Sequence, residues 1–207
     1  MTDAVATLVI SEVFGPTWQG EGASLGRRAG FVRLGRCNLA CTWCDTPYTW
    51  RWTDHDPATE LATRPVAEVV GQLEAIRHRD WEVEIETAGT IAPTEAVARL
   101  VSRWNVSPKL AGSGNALEAR YRPAVLQALE ATGAASFKFV VGDAAELDEV
   151  GGVVRECGLT EVWVMPEGTD SATIIRRGQA LADAVLDRGW NLTTRLHVLL
   201  WGDERAR

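Results

Sequence analysis

Short apolar runs with the character of strands alternate with segments of helical periodicity along the 207-residue chain. Residues 65–79 carry apolar side chains at the spacing of one helix face, and residues 81–86 alternate between apolar and acidic side chains, as a strand does. Strands that alternate with helices are typical of a parallel sheet whose strands are joined by right-handed crossovers. The sequence therefore predicts an α/β fold, formed by residues 1–207 as a single domain.

Unusual residues follow several of the predicted strands. Strands are expected at Thr7–Phe14, Gly30–Leu34, Trp81–Glu86, Asn105–Ser107, Ser136–Val141, Glu161–Met165 and Arg195–Leu200. Helices are expected at Pro65–Arg79, Thr94–Trp104, Arg122–Ala131, Ala144–Cys157 and Ser171–Arg188. A cysteine-rich loop follows Leu34, and the motifs ETAGT, SPKL and MPEG follow Ile85, Val106 and Val164. Because ligands of parallel sheets bind at the carboxyl ends of the strands, we expect these motifs to surround one site.

The net charge and the hydrophobic pattern exclude some functional classes. The formal net charge is -7 and the isoelectric point is about 5.1, which argues against a surface that coats nucleic acid. No apolar run reaches the length of a membrane span, and the first residues lack the pattern of a secretory signal. We therefore expect a cytoplasmic protein that binds neither nucleic acid nor membrane.

Three of the four cysteines lie within eight residues, at the spacing Cys37-x3-Cys41-x2-Cys44. Thiols are kept reduced in the cytoplasm, so clustered cysteines there indicate metal ligands rather than disulfides. Three thiolates that hold an iron–sulfur cluster leave one iron open to a small molecule. A structural zinc site needs four ligands, and His55 could supply the fourth, so a Cys3His zinc protein stays as an alternative. Cys157 is expected to be a small buried hydrophobe.

The cysteine spacing after a first strand, with Trp43 immediately before the third cysteine, resembles that of the radical S-adenosylmethionine (SAM) enzymes. The resemblance implies a [4Fe–4S] cluster on Cys37, Cys41 and Cys44, with SAM bound at the open iron. It also implies an external electron donor, such as a flavodoxin, and cleavage of SAM to a radical that removes a substrate hydrogen. The implied fold is a partial (β/α) barrel of the radical SAM type.

The flanking motifs resemble one family within that group, the 7-carboxy-7-deazaguanine synthases. They are QGEG before the cysteines, CDT around the last cysteine, and EIETAGT, SPKLAGSG, FKFVV, VMPEGT and RLHVLLWG later in the chain. The resemblance implies conversion of 6-carboxy-5,6,7,8-tetrahydropterin to 7-carboxy-7-deazaguanine with loss of ammonia. By the same resemblance, residues 1–30 contain the first strand and the substrate loop, and residues 35–60 form the cluster loop. A homodimer is also implied.

The resemblance assigns roles to individual residues. The expected substrate contacts are Trp18, Gln19, Gly20, Glu21, Arg33, Thr87 and His197. The expected SAM contacts are Trp43, Cys44, Asp45, Gly89, Ser107 and Lys109, and the expected magnesium ligand is Thr46. The residue types suit a pterin, because an amide matches its mixed donor and acceptor edge, a carboxylate accepts from ring N–H groups, and a guanidinium pairs with a carboxylate.

One family element is missing. The sequence contains no Gly-Gly-Glu-Pro motif, which in radical SAM enzymes meets the SAM amino group. A strand and a helix are absent between Ile76 and Trp81, so the barrel is expected to be shortened by about one strand and one helix. Whether Trp81–Glu86 then pairs directly with Gly30–Leu34 is left open. The missing motif also keeps an alternative function open, a catalytically impaired homologue that binds a cluster or a pterin. A glycyl-radical activase is a further alternative, which QGEG does not favour.

The predicted strand at residues 81–86 carries Glu82, Glu84 and Glu86 on one face. Unpaired buried carboxylates are costly, and a strand buried on both faces should be apolar. The row therefore predicts either that this face lines a wet, open barrel interior or that Glu86, near the strand end, is paired at the site, and an open, partial barrel allows both.

Overall fold

The computed structural model describes residues 6–76 and 81–207, and its strands form two sheets. The strands are β1 (Thr7–Trp18), β2 (Arg28–Leu34), β3 (Ala62–Pro65), β4 (Glu84–Thr87), β5 (Arg103–Val106), β6 (Ala135–Val141), β7 (Val162–Pro166) and β8 (Asn191–Leu192). The helices are α1 (Pro57–Glu60), α2 (Val66–Ile76), α3 (Glu95–Ala98), α4 (Leu117–Arg120), α5 (Pro123–Glu130), α6 (Glu146–Cys157), α7 (Ser171–Asp187) and α8 (Leu196–Trp201).

The five strands β4 to β8 form a parallel sheet in chain order, which confirms the predicted α/β class. One face of this sheet is apolar, and Phe137 and Phe139 of β6 are completely buried on it. Helices α5, α6 and α7 contribute buried apolar side chains to the same core, among them Leu126, Leu147 and Leu181. The opposite face carries polar side chains, among them Asn105 and Ser136.

The strands β1, β2 and β3 form a separate antiparallel sheet with β1 in the centre. The predicted strand Gly30–Leu34 therefore belongs to this sheet as part of β2. Within the described ranges it does not pair with β4, the strand predicted as Trp81–Glu86. The physical reason is local: the twelve-residue β1 and the nearby β2 form an antiparallel pair, in which Val13 lies opposite Val32.

Two predicted elements are wrong. Only Glu95–Ala98 is helical within the expected helix Thr94–Trp104, because Trp104 is 5% exposed and lies in β5, where it pairs with residues of β4 and β6. The expected last strand Arg195–Leu200 is largely the helix α8. The short strand β8 precedes it and closes the edge of the parallel sheet.

The remaining predicted elements differ at their ends. The strand expected at Thr7–Phe14 extends to Trp18, and the one expected from Trp81 begins at Glu84. The helix expected at Pro65–Arg79 begins at Val66, and its last predicted residues lie outside the described part of the chain. In the described ranges, none of the helices is both long and apolar enough to cross a bilayer.

We expect the substitution Phe137→Ala to destabilise the parallel sheet strongly. The ring is completely buried, so its loss should lower the free energy of unfolding by about 3–5 kcal/mol. The matched control is Leu186→Ala, because Leu186 is 75% exposed and its loss should cost less than about 0.5 kcal/mol. Urea denaturation of both variants measures the difference, and equal midpoints would contradict the assignment of the core.

Candidate active site

The cysteine loop leaves β2 and packs against residues 111–115. Cys41 is buried, Cys44 is half-buried and Cys37 is exposed. The amide of Cys44 donates to the carbonyl of Cys41 at 3.2 Å, which closes a tight turn, and the amide of Thr42 donates to the carbonyl of Ser113 at 3.0 Å. The loop is therefore fixed both by its own turn and by the chain that follows β5.

Side chains surround the sulfur atoms of this loop. Asn115 Nδ2 lies 3.3 Å from Cys41 Sγ, and Trp50 Nε1 lies 3.3 Å from Cys44 Sγ. Burial raises the pKa of the Cys41 thiol, whereas Lys109 and the hydrogen bond from Asn115 oppose that shift. The hydrogen-bond donor and the nearby cation thus favour the thiolate of Cys41, although the effect of burial is larger.

A closed Cys3His zinc site would require His55 to lie beside the three cysteine sulfurs. Tetrahedral zinc has Zn–S and Zn–N distances of about 2.0–2.3 Å, which hold its four ligand atoms close together. Among residues 6–76 and 81–207, one group of three His, Cys, Asp or Glu ligand atoms lies within 4.8 Å, and its members are Glu21, Asp45 and His197. His55 instead lies 3.8 Å from Glu60 and stands edge-on to the ring of Tyr48. The cysteines and His55 therefore do not form the alternative Cys3His zinc site.

A buried ion network lies beside the cysteine loop. Arg195 is 5% exposed, and its Nε donates to Glu21 Oε1 at 3.0 Å. Its other nitrogens contact Asp45 and donate to the carbonyl of Gly168 at 2.6 Å. Lys138 of β6 pairs with the second oxygen of Glu21. The guanidinium of Arg195 therefore bridges Glu21, in the loop after β1, and Asp45, the residue after Cys44.

The network determines which side chains are charged. Burial by itself would raise the pKa of Glu21, but Lys138 and Arg195 outweigh it and hold that pKa well below its ordinary value. Burial lowers the pKa of His197, although Glu21 opposes this, so the imidazole is neutral at pH 7. Burial, aided by Lys138, also lowers the pKa of Lys109. The site therefore presents a permanent carboxylate beside a neutral imidazole.

The predicted QGEG segment packs tightly on α8. A Cβ atom added to Gly20 would lie 2.0 Å from His197 Nδ1, and the amide of Leu196 donates to the carbonyl of Gly20 at 2.8 Å. The amide of Gly22 donates to Thr193 Oγ1 at 3.1 Å. Only glycine at position 20 allows this approach, so the structure brings together Gly20, Glu21 and His197 of the predicted substrate contacts.

The carboxylate row on β4 is satisfied by partners. Gln19 Nε2 donates to Glu86 at 2.8 Å, and Arg27 pairs with Glu82 at 2.8 Å. Glu84 accepts from Ser24 Oγ at 2.6 Å and from Asn105 Nδ2 at 2.8 Å. The polar face continues from Asn105 to Ser136, whose hydroxyl donates to it at 3.0 Å. Of the two explanations, the pairing of Glu86 is therefore observed, with Gln19 as its partner, whereas the Arg27–Glu82 pair is exposed.

Arg33 lies in a second polar cluster. It pairs with Glu12 at 2.6 Å, donates to the hydroxyl of Tyr48, and stands 5.3 Å from the centre of the Phe14 ring. Tyr48 donates to the same Glu12 oxygen at 2.8 Å, and burial raises the pKa of Tyr48 to about 12, although Arg33 opposes this. Arg205 pairs with Glu12 at 3.1 Å and covers the Tyr48 ring at 3.8 Å. Arg33 thus contacts residues other than the Glu21 network.

The predicted SAM contacts lie along the strand ends and the cysteine loop. Lys109 donates to Ser107 Oγ at 2.8 Å and stands 5.3 Å from the centre of the Trp43 ring. The amide of Gly89 donates to Thr87 Oγ1 at 3.2 Å. Gly89 has φ +72, and a Cβ atom there would lie 2.6 Å from Leu126.

The two remaining predicted residues are Thr46 and Trp18. Thr46 Oγ1 is 3.6 Å from Cys44 Sγ. Trp18, at the end of β1, is 46% exposed.

Four residues of the site were not predicted from the sequence: Lys138, Arg195, Asn115 and Trp50. A charge within the otherwise apolar run SFKFVV was a usable signal for Lys138, because a lysine in a buried strand needs a partner. Asn115 had no such signal, since its contact with Cys41 joins residues 74 positions apart.

Comparisons with known proteins place the chain in a family. The chain is 31% identical over 227 aligned residues to the 7-carboxy-7-deazaguanine synthase of Pyrobaculum aerophilum, and the alignment covers 96% of each protein. The chain therefore belongs to the 7-carboxy-7-deazaguanine synthase family. A second member, from Halobacterium salinarum, is 30% identical over 246 aligned residues, which cover 95% of this chain and 91% of that protein. A scan against models of protein families finds no match.

A solved structure supports the fold assignment. The crystal structure of QueE from Escherichia coli superposes with a TM-score of 0.68 and covers 92% of this chain and 95% of that one, at 20% sequence identity. The alignments with the two family members above extend over 227 and 246 residues, more than the 207 residues of this chain, and so contain gaps in it. Such gaps are what a family member shortened by a strand and a helix should show.

We expect Glu21→Gln to destabilise the protein in a pH-dependent way. At pH 7 the change leaves Lys138 and Arg195 without their shared carboxylate, which should cost about 3–5 kcal/mol. Because the pKa of Glu21 is lowered by folding, its contribution is complete above the unfolded-state pKa of about 4.3 and is lost as the pH falls towards the folded-state value.

The difference in free energy of unfolding between the wild type and Glu21→Gln should therefore shrink from pH 6 to pH 3. Anaerobic urea denaturation at each pH measures it. The exposed Glu118, changed to glutamine, is the control and should show little difference at any pH. A difference for Glu21→Gln that stays constant over this range would contradict the proposed ion network.

Proposed function

We propose that this protein is a radical SAM lyase that converts 6-carboxy-5,6,7,8-tetrahydropterin to 7-carboxy-7-deazaguanine with loss of ammonia. The observation that carries the proposal is the alignment with a 7-carboxy-7-deazaguanine synthase over 96% of both proteins. The geometry of the site supports it, because Arg195 joins the cysteine loop to the QGEG segment through Asp45 and Glu21. A cofactor on the cysteines and a substrate on QGEG would thus be neighbours.

Cys37, Cys41 and Cys44 would hold the [4Fe–4S] cluster. The proposed SAM contacts are Trp43, Cys44, Asp45, Gly89, Ser107 and Lys109, and Thr46 is the proposed magnesium ligand. When bound, the reduced cluster and SAM supply the radical that removes a hydrogen from the substrate. The protein contributes binding, orientation and the exclusion of side reactions.

The polar groups of the QGEG segment suit the pterin edge. Gln19 Oε1 accepts from the amide of Glu21 at 3.3 Å and its Nε2 donates to Glu86, which leaves the second hydrogen of Nε2 for a ring acceptor. Glu21 is kept ionised and so accepts hydrogen bonds from ring N–H groups, while the neutral His197 adds no charge. The proposal also requires Arg33, which pairs with Glu12 in the structure, to bind the substrate carboxylate, and Trp18 and Thr87 complete the proposed contacts.

The conditions of the reaction are also part of the proposal. We propose that an external donor such as a flavodoxin supplies the electron, that the protein works in the cytoplasm, and that it forms a homodimer from single-domain subunits. Nothing in the acidic composition favours nucleic acid as a partner.

The absence of the Gly-Gly-Glu-Pro motif favours one alternative, a catalytically impaired homologue that still binds a cluster or a pterin. That motif supplies a polar wall for SAM in radical SAM enzymes, so SAM affinity is the property that its loss would reduce. The zinc alternative has no such support, because His55 pairs with Glu60 instead.

We expect Cys41→Ala to abolish both the cluster and the reaction. After anaerobic reconstitution, the wild type should contain about four irons per chain and form 7-carboxy-7-deazaguanine, detected by mass spectrometry, when SAM, magnesium and a reductant are present. Cys157→Ala is the matched control, because this thiol is buried in the core and contacts Tyr121. It should retain iron and activity.

Three outcomes separate the candidate functions. A full iron content without product would support the impaired homologue. Zinc on the cysteines, or activity that survives Cys41→Ala, would exclude the proposed radical enzyme.

A further inference from the structure

We propose that Trp50 and Asn115 raise the reduction potential of the cluster by donating N–H···S hydrogen bonds to two of its three cysteine ligands. The proposal rests on the proposed function, since it requires that Cys37, Cys41 and Cys44 hold an iron–sulfur cluster. It concerns positioning residues, which act on the cluster through the sulfur atoms and do not touch the substrate.

Trp50 is held so that its indole N–H points at Cys44. Nε1 lies 3.3 Å from Cys44 Sγ, and indole nitrogen can only donate. The backbone of Trp50 is fixed, because its amide donates to the carbonyl of Pro47 at 3.1 Å. The guanidinium of Arg51 lies 4.8 Å from the centre of the indole ring. These contacts hold the ring on the cysteine loop, so the N–H···S bond belongs to the fold of the loop.

Asn115 is oriented by an independent hydrogen bond. Its Oδ1 accepts from the amide of Ala40 at 2.8 Å, which identifies the other amide atom, facing Cys41, as the nitrogen. That nitrogen lies 3.3 Å from Cys41 Sγ and 3.2 Å from Ser113 Oγ. The amide therefore links the backbone of the cysteine loop to one of its sulfurs, and rotation of the side chain would break both contacts.

The two donors act on the two less exposed sulfurs of the three. Cys41 is buried and Cys44 is half-buried, whereas Cys37 is exposed and can accept hydrogen bonds from water. A hydrogen bond at a buried atom is electrostatically stronger than the same bond in water. The indole and the amide thus donate hydrogen bonds to Cys44 and Cys41, whereas water can donate them to Cys37.

The direction of the effect follows from charge. Reduction adds an electron that is shared between the irons and their sulfur ligands, so N–H···S bonds strengthen in the reduced state. Hydrogen bonds to the sulfurs are among the features that set the potential of such clusters. Removal of either donor should therefore make the potential more negative, and the cluster harder to reduce.

The test is a redox titration of the reconstituted protein followed by electron paramagnetic resonance. We expect Trp50→Phe and Asn115→Ala each to shift the midpoint to a more negative potential, and the double variant to shift it by about the sum, because the donors act on different sulfurs. Trp52→Phe is the matched control: Trp52 lies in the same loop and is 41% exposed. Its midpoint should equal that of the wild type.

A second measurement uses a wild-type cluster and so covers a Trp50→Phe variant that fails to assemble one. Pulsed electron paramagnetic resonance of the reduced wild type, labelled with 15N in the indole nitrogens, should show an indole nitrogen coupling that persists in Trp52→Phe. Midpoints unchanged in both variants, or a reduced wild type without any indole coupling, would overturn the inference and leave the proposed function intact. A wild type that assembles no cluster would overturn both.

Discussion

The site depends on Arg195, which contacts the carboxylates of both Glu21 and Asp45. Arg195 joins three segments that are distant in the chain: the loop after β1, the residue after the last clustered cysteine, and the start of α8. A neutral side chain at this position could not balance the charges of two carboxylates. The guanidinium can, because it carries five N–H donors in a rigid, planar arrangement.

The charges of this network explain why it can be buried. Isolated buried charges are costly, but Glu21 and Asp45 face Lys138 and Arg195, so the two negative charges are balanced by two positive ones. Arg195 also donates to the carbonyl of Gly168, which satisfies a further backbone acceptor. His197 lies 4.0 Å from Glu21 but remains neutral, because burial and the adjacent cations disfavour a third positive charge. A balanced network of this kind can hold an ionised carboxylate in a buried site.

Residues that act through local spacing could be predicted from the sequence, whereas residues that act through distant contacts could not. The cysteine spacing, the alternating strand at β4 and the glycines of QGEG each follow from short patterns. The sequence predicts a strand where helix α8 lies, because a short apolar run such as RLHVLL has no distinct period, and its buried residue, Val198, is identified only by packing. Lys138 and Glu21 lie 117 residues apart, so their pairing required the folded sheet.

The loop after β1 compensates for the break between the two sheets. Within the described residues, no backbone ladder joins β2 to β4, and the connection is made by side chains instead: Gln19, Ser24 and Arg27 each bond to a glutamate on or next to β4. The same loop reaches the opposite edge of the parallel sheet, because Gly22 donates to Thr193, just beyond β8. A segment that contacts both edges requires the sheet to curve around it, with its polar face inward. The carboxylates on and next to β4 thus hold the loop after β1 against the parallel sheet, where no backbone pairing joins the two sheets within the described residues.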